Sequence, residues 1–89
     1  MIKQKHYVYG VHITERMKSA VEVQKVLTEY GCNIKTRLGL HEISDDACTD
    51  RGLLILELCG DEGKIEAMTK ALRELEGVEV KGMIFDHPH

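Results

Sequence analysis

Five histidines and three cysteines stand among 89 residues, and imidazole and thiolate are the side chains that hold zinc, nickel or copper. Their spacing fits no standard ligand frame. His6 and His12 would share one face of an extended segment. Six residues of strand span about 20 Å, so one subunit cannot bring both to a single ion. His41 and Cys48 flank a polar turn and could meet across it. The leading reading assigns no metal and leaves the histidines at the surface or at an interface. The alternative is a transition-metal site made by His41 and Cys48 with histidines of a second subunit.

Covalent chemistry has less to stand on. Cys59 closes the most apolar run of the chain, where a small core or interface residue is expected, and no partner base is identifiable. Cys48 sits among Asp45, Asp46 and Asp50, whose charges disfavour a thiolate. The abundant carboxylates of the helical segments read as solvated faces. No glycine-rich phosphate loop is present. The expectation is a protein without catalysis and without a cofactor.

The segment Thr14-Glu15-Arg16-Met17-Lys18 is a different kind of candidate. It lies where a helix is predicted to begin, and helix N-termini offer unpaired N–H groups and a partial positive charge to anions. Thr14, Glu15, Arg16 and Lys18 are therefore the expected contacts of a small ligand. The plainer reading of the same residues is an ordinary cap with solvated charges.

These groups need a scaffold, and Gly52-Leu53-Leu54-Ile55-Leu56-Glu57-Leu58-Cys59-Gly60 is its centre. It is apolar, free of proline and bounded by glycine at both ends, which predicts a central strand. Residues 6–13 alternate, with Tyr7, Tyr9, Val11 and Ile13 on one face and His6, Val8, Gly10 and His12 on the other, a first strand. Ser19-Ala20-Val21-Glu22 has capping-box spacing, with Thr14 as the competing helix start. Ala20, Val23, Leu27 and Tyr30 recur at helical spacing, and Gly31 is the expected C′ glycine. A second strand is predicted over 34–42, with Ile34, Leu38 and Leu40 on one face and Lys35, Arg37, Gly39 and His41 on the other. Ser44 to Asp50 reads as a polar loop. Asp61 should cap a second helix with the core stripe Ile65, Met68, Leu72 and Leu75, stopped by Gly77. The last strand is predicted over 78–85, with Val78, Val80 and Ile84 on one face and a frayed tail from Asp86 to His89.

The order is βαββαβ. Lys25, Leu27, Glu29 and Tyr30 are matched by Lys70, Leu72, Glu74 and Leu75, so the two halves are alike. Two interleaved split βαβ units predict a single α+β, ferredoxin-like domain over 1–89. Its antiparallel sheet has the strand order 4-1-3-2, with both helices on one face. The other face stays open, and Val8, Leu53, Ile55, Met83 and Phe85 fall on it together. A contiguous apolar patch of this kind marks an interface, so a homo-oligomer, self-associating through this face or through a sheet edge, is expected. A ligand site on the open sheet is the sharper alternative. RNA-recognition domains share the element order but stack bases on aromatics of the first and third strands. Here the third strand offers Leu53, Ile55 and Glu57, and Tyr7 and Tyr9 fall on the helix side.

Composition narrows the partners further. The net charge is −3, which gives no general attraction to nucleic acid or an anionic membrane. No apolar run is long enough to span a bilayer, and Met1 to His6 has no signal-peptide core. An odd cysteine count without C-x-x-C argues for reduced thiols. A soluble, cytoplasmic protein is expected.

Several runs carry a family likeness: Val8-Tyr9-Gly10-Val11-His12-Ile13, Leu27-Thr28-Glu29-Tyr30, Arg37-Leu38-Gly39-Leu40, the strand from Leu53 to Cys59, and Leu75-Glu76-Gly77-Val78-Glu79-Val80-Lys81. Together they resemble the small ACT-like bacterial proteins labelled iron-only hydrogenase system regulators, over nearly the whole chain. The resemblance implies a stand-alone ACT-like domain that forms dimers or tetramers and senses a small effector. Amino-acid-binding ACT domains carry a glycine-containing turn after the first strand; residues 14–18 contain neither Gly nor Pro, so that specificity is not carried over. The related nickel-responsive repressor domain uses an H-x-H pair followed by a cysteine. The only H-x-H here is His87-Pro88-His89, so nickel is not carried over either. With no DNA-binding segment ahead of the first strand, such a regulator is expected to act through a partner.

Overall fold

Strict alternation in the first strand lays out the molecule. The computed structural model describes residues 4–14, 16–43 and 48–87, with side chains described over 5–14, 19–39 and 52–86. The elements are β1 (Gln4–Ile13), α1 (Arg16–Glu29), a 3-10 turn (Gly31–Asn33), β2 (Ile34–Ile43), β3 (Cys48–Leu58), α2 (Glu62–Arg73) and β4 (Val78–His87). The strands make one antiparallel sheet in the order β2-β3-β1-β4. That is the expected 4-1-3-2 order read from the opposite edge. The architecture is ferredoxin-like, and the apolar run is central as its composition required. No helix of the described residues is long and apolar enough to cross a membrane.

The core lies between the sheet and the two helices. Tyr7, Val11 and Ile13 of β1, Leu56 and Leu58 of β3 and Val80 of β4 meet Val23 and Leu27 of α1 and Ile65, Met68 and Leu72 of α2 in one buried cluster. Each of the larger aliphatic side chains contributes roughly 1.5–3 kcal/mol by leaving water. The α2 helix follows its local signals. Asp61 caps it, accepting the Lys64 N–H at 3.2 Å. Glu62 in its first turn and Lys70 and Arg73 in its last complement the helix dipole.

The first helix departs from its signals. It begins at Arg16, three residues ahead of Ser19, so Ser19 is not the cap. Ser19 is buried and its hydroxyl donates to the Glu76 carbonyl. A hydroxyl inside a packed helix face needs such a partner, and the α2–β4 turn supplies it. Thr14 reinforces the same junction, its N–H and hydroxyl both donating to the Gly77 carbonyl at 2.8 and 2.9 Å. Gly77 has φ +76 and closes that turn rather than the helix itself, which ends at Arg73. Gly31 is not left-handed; it opens the 3-10 turn instead.

Three strand expectations change. Cys48 to Asp50, read as loop, belong to β3, where Cys48 pairs with Ile43; residues 44–47 lie outside the described part. β4 continues through Asp86 and His87, which pair with Lys5 and Gln4, because β1 starts early enough to receive them. Ile84 pairs with Tyr7 on the helix side yet is 55% exposed, since an edge strand reaches past the helices that cover the sheet's middle.

Gly82 is required by close approach. It pairs with Tyr9, whose ring lies across it, and a Cβ at residue 82 would fall 2.7 Å from Tyr9 Cζ. Gly82→Ala should therefore destabilise the fold by about 1–3 kcal/mol, read as a lower urea midpoint. Gly31→Ala, where a Cβ meets nothing within 4 Å, should leave the midpoint nearly unchanged.

Candidate functional site

Directly opposed residues in antiparallel strands share a face, so the registers assemble the uncovered side row by row. Met83, Val8, Glu57 and Thr36 form one row across β4, β1, β3 and β2. Lys81, Gly10, Ile55 and Leu38 form the next, and Glu79, His12, Leu53 and Leu40 the one after; Phe85 pairs with His6 at the far end. The sequence-predicted Val8, Leu53, Ile55, Met83 and Phe85 are all on this face. Met83 and Phe85 are 57% and 47% exposed, while Val8, Leu53 and Ile55 are partly shielded by neighbours on the sheet.

The patch is larger than the sequence suggested. Alternation placed Leu38 and Leu40 toward the helices and Arg37, Gly39 and His41 on the open side. A register shift between Ile34 and Thr36 inserts one residue and inverts the pattern. Ile34 still pairs with Leu58 on the core side, but Arg37 now pairs with Leu56 and Gly39 with Leu54. Leu38 is 54% exposed beside Ile55. The bulge also leaves Lys35 able to reach the open side, 3.9 Å from Glu57.

Glu57 bounds the apolar area at one end. Its Oε1 accepts the Thr36 hydroxyl at 3.0 Å, and its Oε2 is 4.0 Å from His6 Nδ1. His12 and Glu79 stand in the row at the other end. The face is an apolar middle with polar margins, which is how protein interfaces are built.

A second feature was not foreseen. Lys5, Tyr7, Cys59, Gly60 and Glu62 line a cleft of about 320 Å³ where β3 turns into α2. Its turn is held by Asn33, which is buried and donates from Nδ2 to the Cys59 carbonyl at 3.0 Å while its own carbonyl accepts the Cys59 N–H at 2.9 Å. Gly60 is left-handed at φ +95, and a Cβ on it would meet Asn33 Nδ2 at 2.7 Å. Inside the cleft the Glu62 carboxylate accepts from the Tyr7 hydroxyl at 2.8 Å and from Lys5 Nζ at 3.2 Å. Burial and then the Glu62 bond push the Tyr7 phenol up to about 12. The Tyr7 bond and then Lys5 hold Glu62 below the usual carboxylate range. The only advance signals were the Gly60-Asp61 pair and the inward alternation of Tyr7.

Of the other sequence-predicted residues, Thr14 is committed to the Gly77 carbonyl. Glu15 and the side chains of Arg16, Lys18, His41 and Cys48 lie outside the described part. The backbone sets residue 41 opposite Gly52 and Cys48 opposite Ile43, near one end of the β2–β3 hairpin. Among the described residues, no three His, Cys, Asp or Glu side chains converge to hold a metal.

No protein-family model matches this chain, and no curated protein does. Solved structures show the ferredoxin-like class clearly. The chain is similar to the uncharacterized protein TM1266 from Thermotoga maritima, at 23% identity over 92% of this chain and 99% of that one, with a TM-score of 0.77. It is similar to CPII, a nitrogen regulatory PII-like protein from Thiomonas intermedia K12 bound to ADP, AMP and bicarbonate, at 9% identity over 99% and 96% of the two chains, with a TM-score of 0.64. It is also similar to the de novo designed protein Foldit4, at 15% identity over 92% and 97%, with a TM-score of 0.50. At these identities the likeness is one of fold, and a designed chain among them underlines that the fold alone carries no activity.

The Tyr7–Glu62 bond has a pH signature. A phenol whose pKa is raised by folding contributes stability that is complete below about pH 10 and is lost as pH rises through about 12. Tyr7→Phe should lower stability at pH 7 by about 0.5–1.5 kcal/mol through the lost hydrogen bond. The same variant should show a shallower loss between pH 10 and 12 than the wild type, measured by urea unfolding. Equal alkaline slopes would contradict the assignment.

Proposed function

We propose that this chain is an oligomeric, non-catalytic regulatory module of ACT-like type that senses a small effector in the cytoplasm. The observation that carries the reading is the open sheet face. Val8, Leu38, Leu53, Ile55, Met83 and Phe85 form an apolar area with polar margins that another copy of the chain would bury. The residue-level resemblance to hydrogenase system regulators supports a regulatory role exercised through a protein partner, without direct contact to nucleic acid. CPII, which shares the fold, is bound to ADP, AMP and bicarbonate, and these are the first probes for an effector here. The proposed contacts are Arg16 and Lys18 at the start of α1, with Thr14 holding the link in place.

Two measurements test the reading. Light scattering at tens of micromolar should give a mass of at least two chains; a strict monomer removes the oligomeric module. A thermal-shift series with ADP, AMP and bicarbonate should raise the melting temperature for at least one of them by mass action. Arg16→Ala with Lys18→Ala should abolish that shift. A shift that survives the double substitution moves the effector site elsewhere.

A further inference from the structure

β3 ends before β1 and β4 do. It turns away after Leu58, while β1 extends back to Gln4 alongside β4. The notch left at this end of the sheet holds two clefts, of about 320 and 370 Å³, that share Lys5, Cys59 and Gly60. The first, with Tyr7 and Glu62, lies on the helix side. The second, with Lys35 and Glu57, opens at the margin of the apolar face. Their common floor is fixed in place. Asn33 holds the Cys59 peptide from both directions, and Gly60 brings bare backbone to the surface, with no Cβ to obstruct a close approach.

The charged groups around this floor are loosely paired. Glu62 is held by Tyr7 first and Lys5 second, and its 2.8 Å bond from the Tyr7 hydroxyl does not depend on Lys5. Glu57 keeps the Thr36 hydroxyl on Oε1 at 3.0 Å. Its Oε2 is 3.9 Å from Lys35 Nζ and 4.0 Å from His6 Nδ1, both beyond hydrogen-bond length. An ammonium carries three donors. Among the described residues, Lys5 Nζ meets one side-chain acceptor, Glu62 Oε2 at 3.2 Å, and Lys35 Nζ meets none. Exposed ion pairs of this kind add little stability, so both lysines can turn to a ligand while each carboxylate keeps its hydroxyl.

The notch therefore sets two ammonium groups beside two hydroxyl-anchored carboxylates. A bare anion would satisfy the lysines and be repelled by the carboxylates. A neutral sugar would satisfy the carboxylates and leave the lysines in water. A molecule that joins an acidic group to several hydroxyls answers both, and each cleft is of small-molecule size. We propose that the notch binds a sugar phosphate, its phosphoryl group held by Lys5 and Lys35 over Gly60 and its hydroxyls donating to Glu57 and Glu62. The site is at the opposite end of β1 from Arg16 and Lys18, about 30 Å along the strand. It stands whether or not an effector binds at the start of α1, and it does not need the open face to be covered.

An amide NMR titration tests this with glucose 6-phosphate as the probe and with inorganic phosphate and glucose as its two halves. Glucose 6-phosphate should shift the amide signals of Cys59 and Gly60 and bind at least about tenfold more tightly than either half. Lys35→Gln should weaken it by a similar factor. The Lys35 side chain is 64% exposed, so the fold should be spared, and Lys5→Gln should repeat the loss. Glu57→Ala should weaken glucose 6-phosphate without weakening inorganic phosphate, a separation that a site reading charge alone would not give. Lys25→Gln, exposed on α1, should change nothing. Either half binding as tightly as the whole overturns the proposal. So does a glucose 6-phosphate titration that leaves Cys59 and Gly60 unmoved, or an affinity that survives either cleft-lysine substitution.

Discussion

Two α-helices lying side by side are about 20 Å wide, and four β-strands at their usual spacing are about as wide. Two helices therefore cover the middle of one side of this sheet and have nothing left for the other. Everything else in the molecule follows from that limit. The covered side takes Tyr7, Val11, Ile13, Leu56, Leu58 and Val80 into a core with five buried helix side chains. The uncovered side keeps Val8, Leu53, Ile55, Leu38, Met83 and Phe85, which in a chain built to stay alone would be polar.

Within the covered side, polar bonds tie the two βαβ halves where packing alone would let them slide. Ser19 and Thr14 reach the Glu76 and Gly77 carbonyls, joining the start of the first half to the end of the second. Asn33 joins the end of α1's turn to the end of β3. Glu62 joins α2 to β1 through Tyr7 and Lys5. Among the described residues, no buried side-chain polar atom lacks a partner. The ties sit at the ends of elements, where backbone groups have no ladder or helix partner of their own.

The sheet's periphery is where one residue matters most. A single inserted position at the start of β2 exchanges the faces of everything after it, which moves Leu38 from the expected core side to the open face and sends Arg37 to the helix side. That irregularity also spoils β2 as a template for further pairing. β4 has an unbroken ladder and a glycine where the Tyr9 ring needs room.

The periodic parts of this architecture were legible in the sequence. Alternation in residues 6–13, the glycine-bounded apolar run and the stripe Ile65, Met68, Leu72 each report which face an element buries, and that is a local property of spacing. The Asp61 cap was legible for the same reason. Element order and the short connections then left one strand order, and the uncovered apolar residues of β1, β3 and β4 could be named. The β2 bulge, the conversion of Ser19 from cap to tie, the entry of Cys48 into β3 and the Tyr7–Glu62–Lys5 cleft were decided only by tertiary structure. Each depends on a partner dozens of residues away, or on how far a neighbouring strand continues. Hydrogen-bond satisfaction across such distances is a property of the folded arrangement, and residue spacing along the chain carries no record of it.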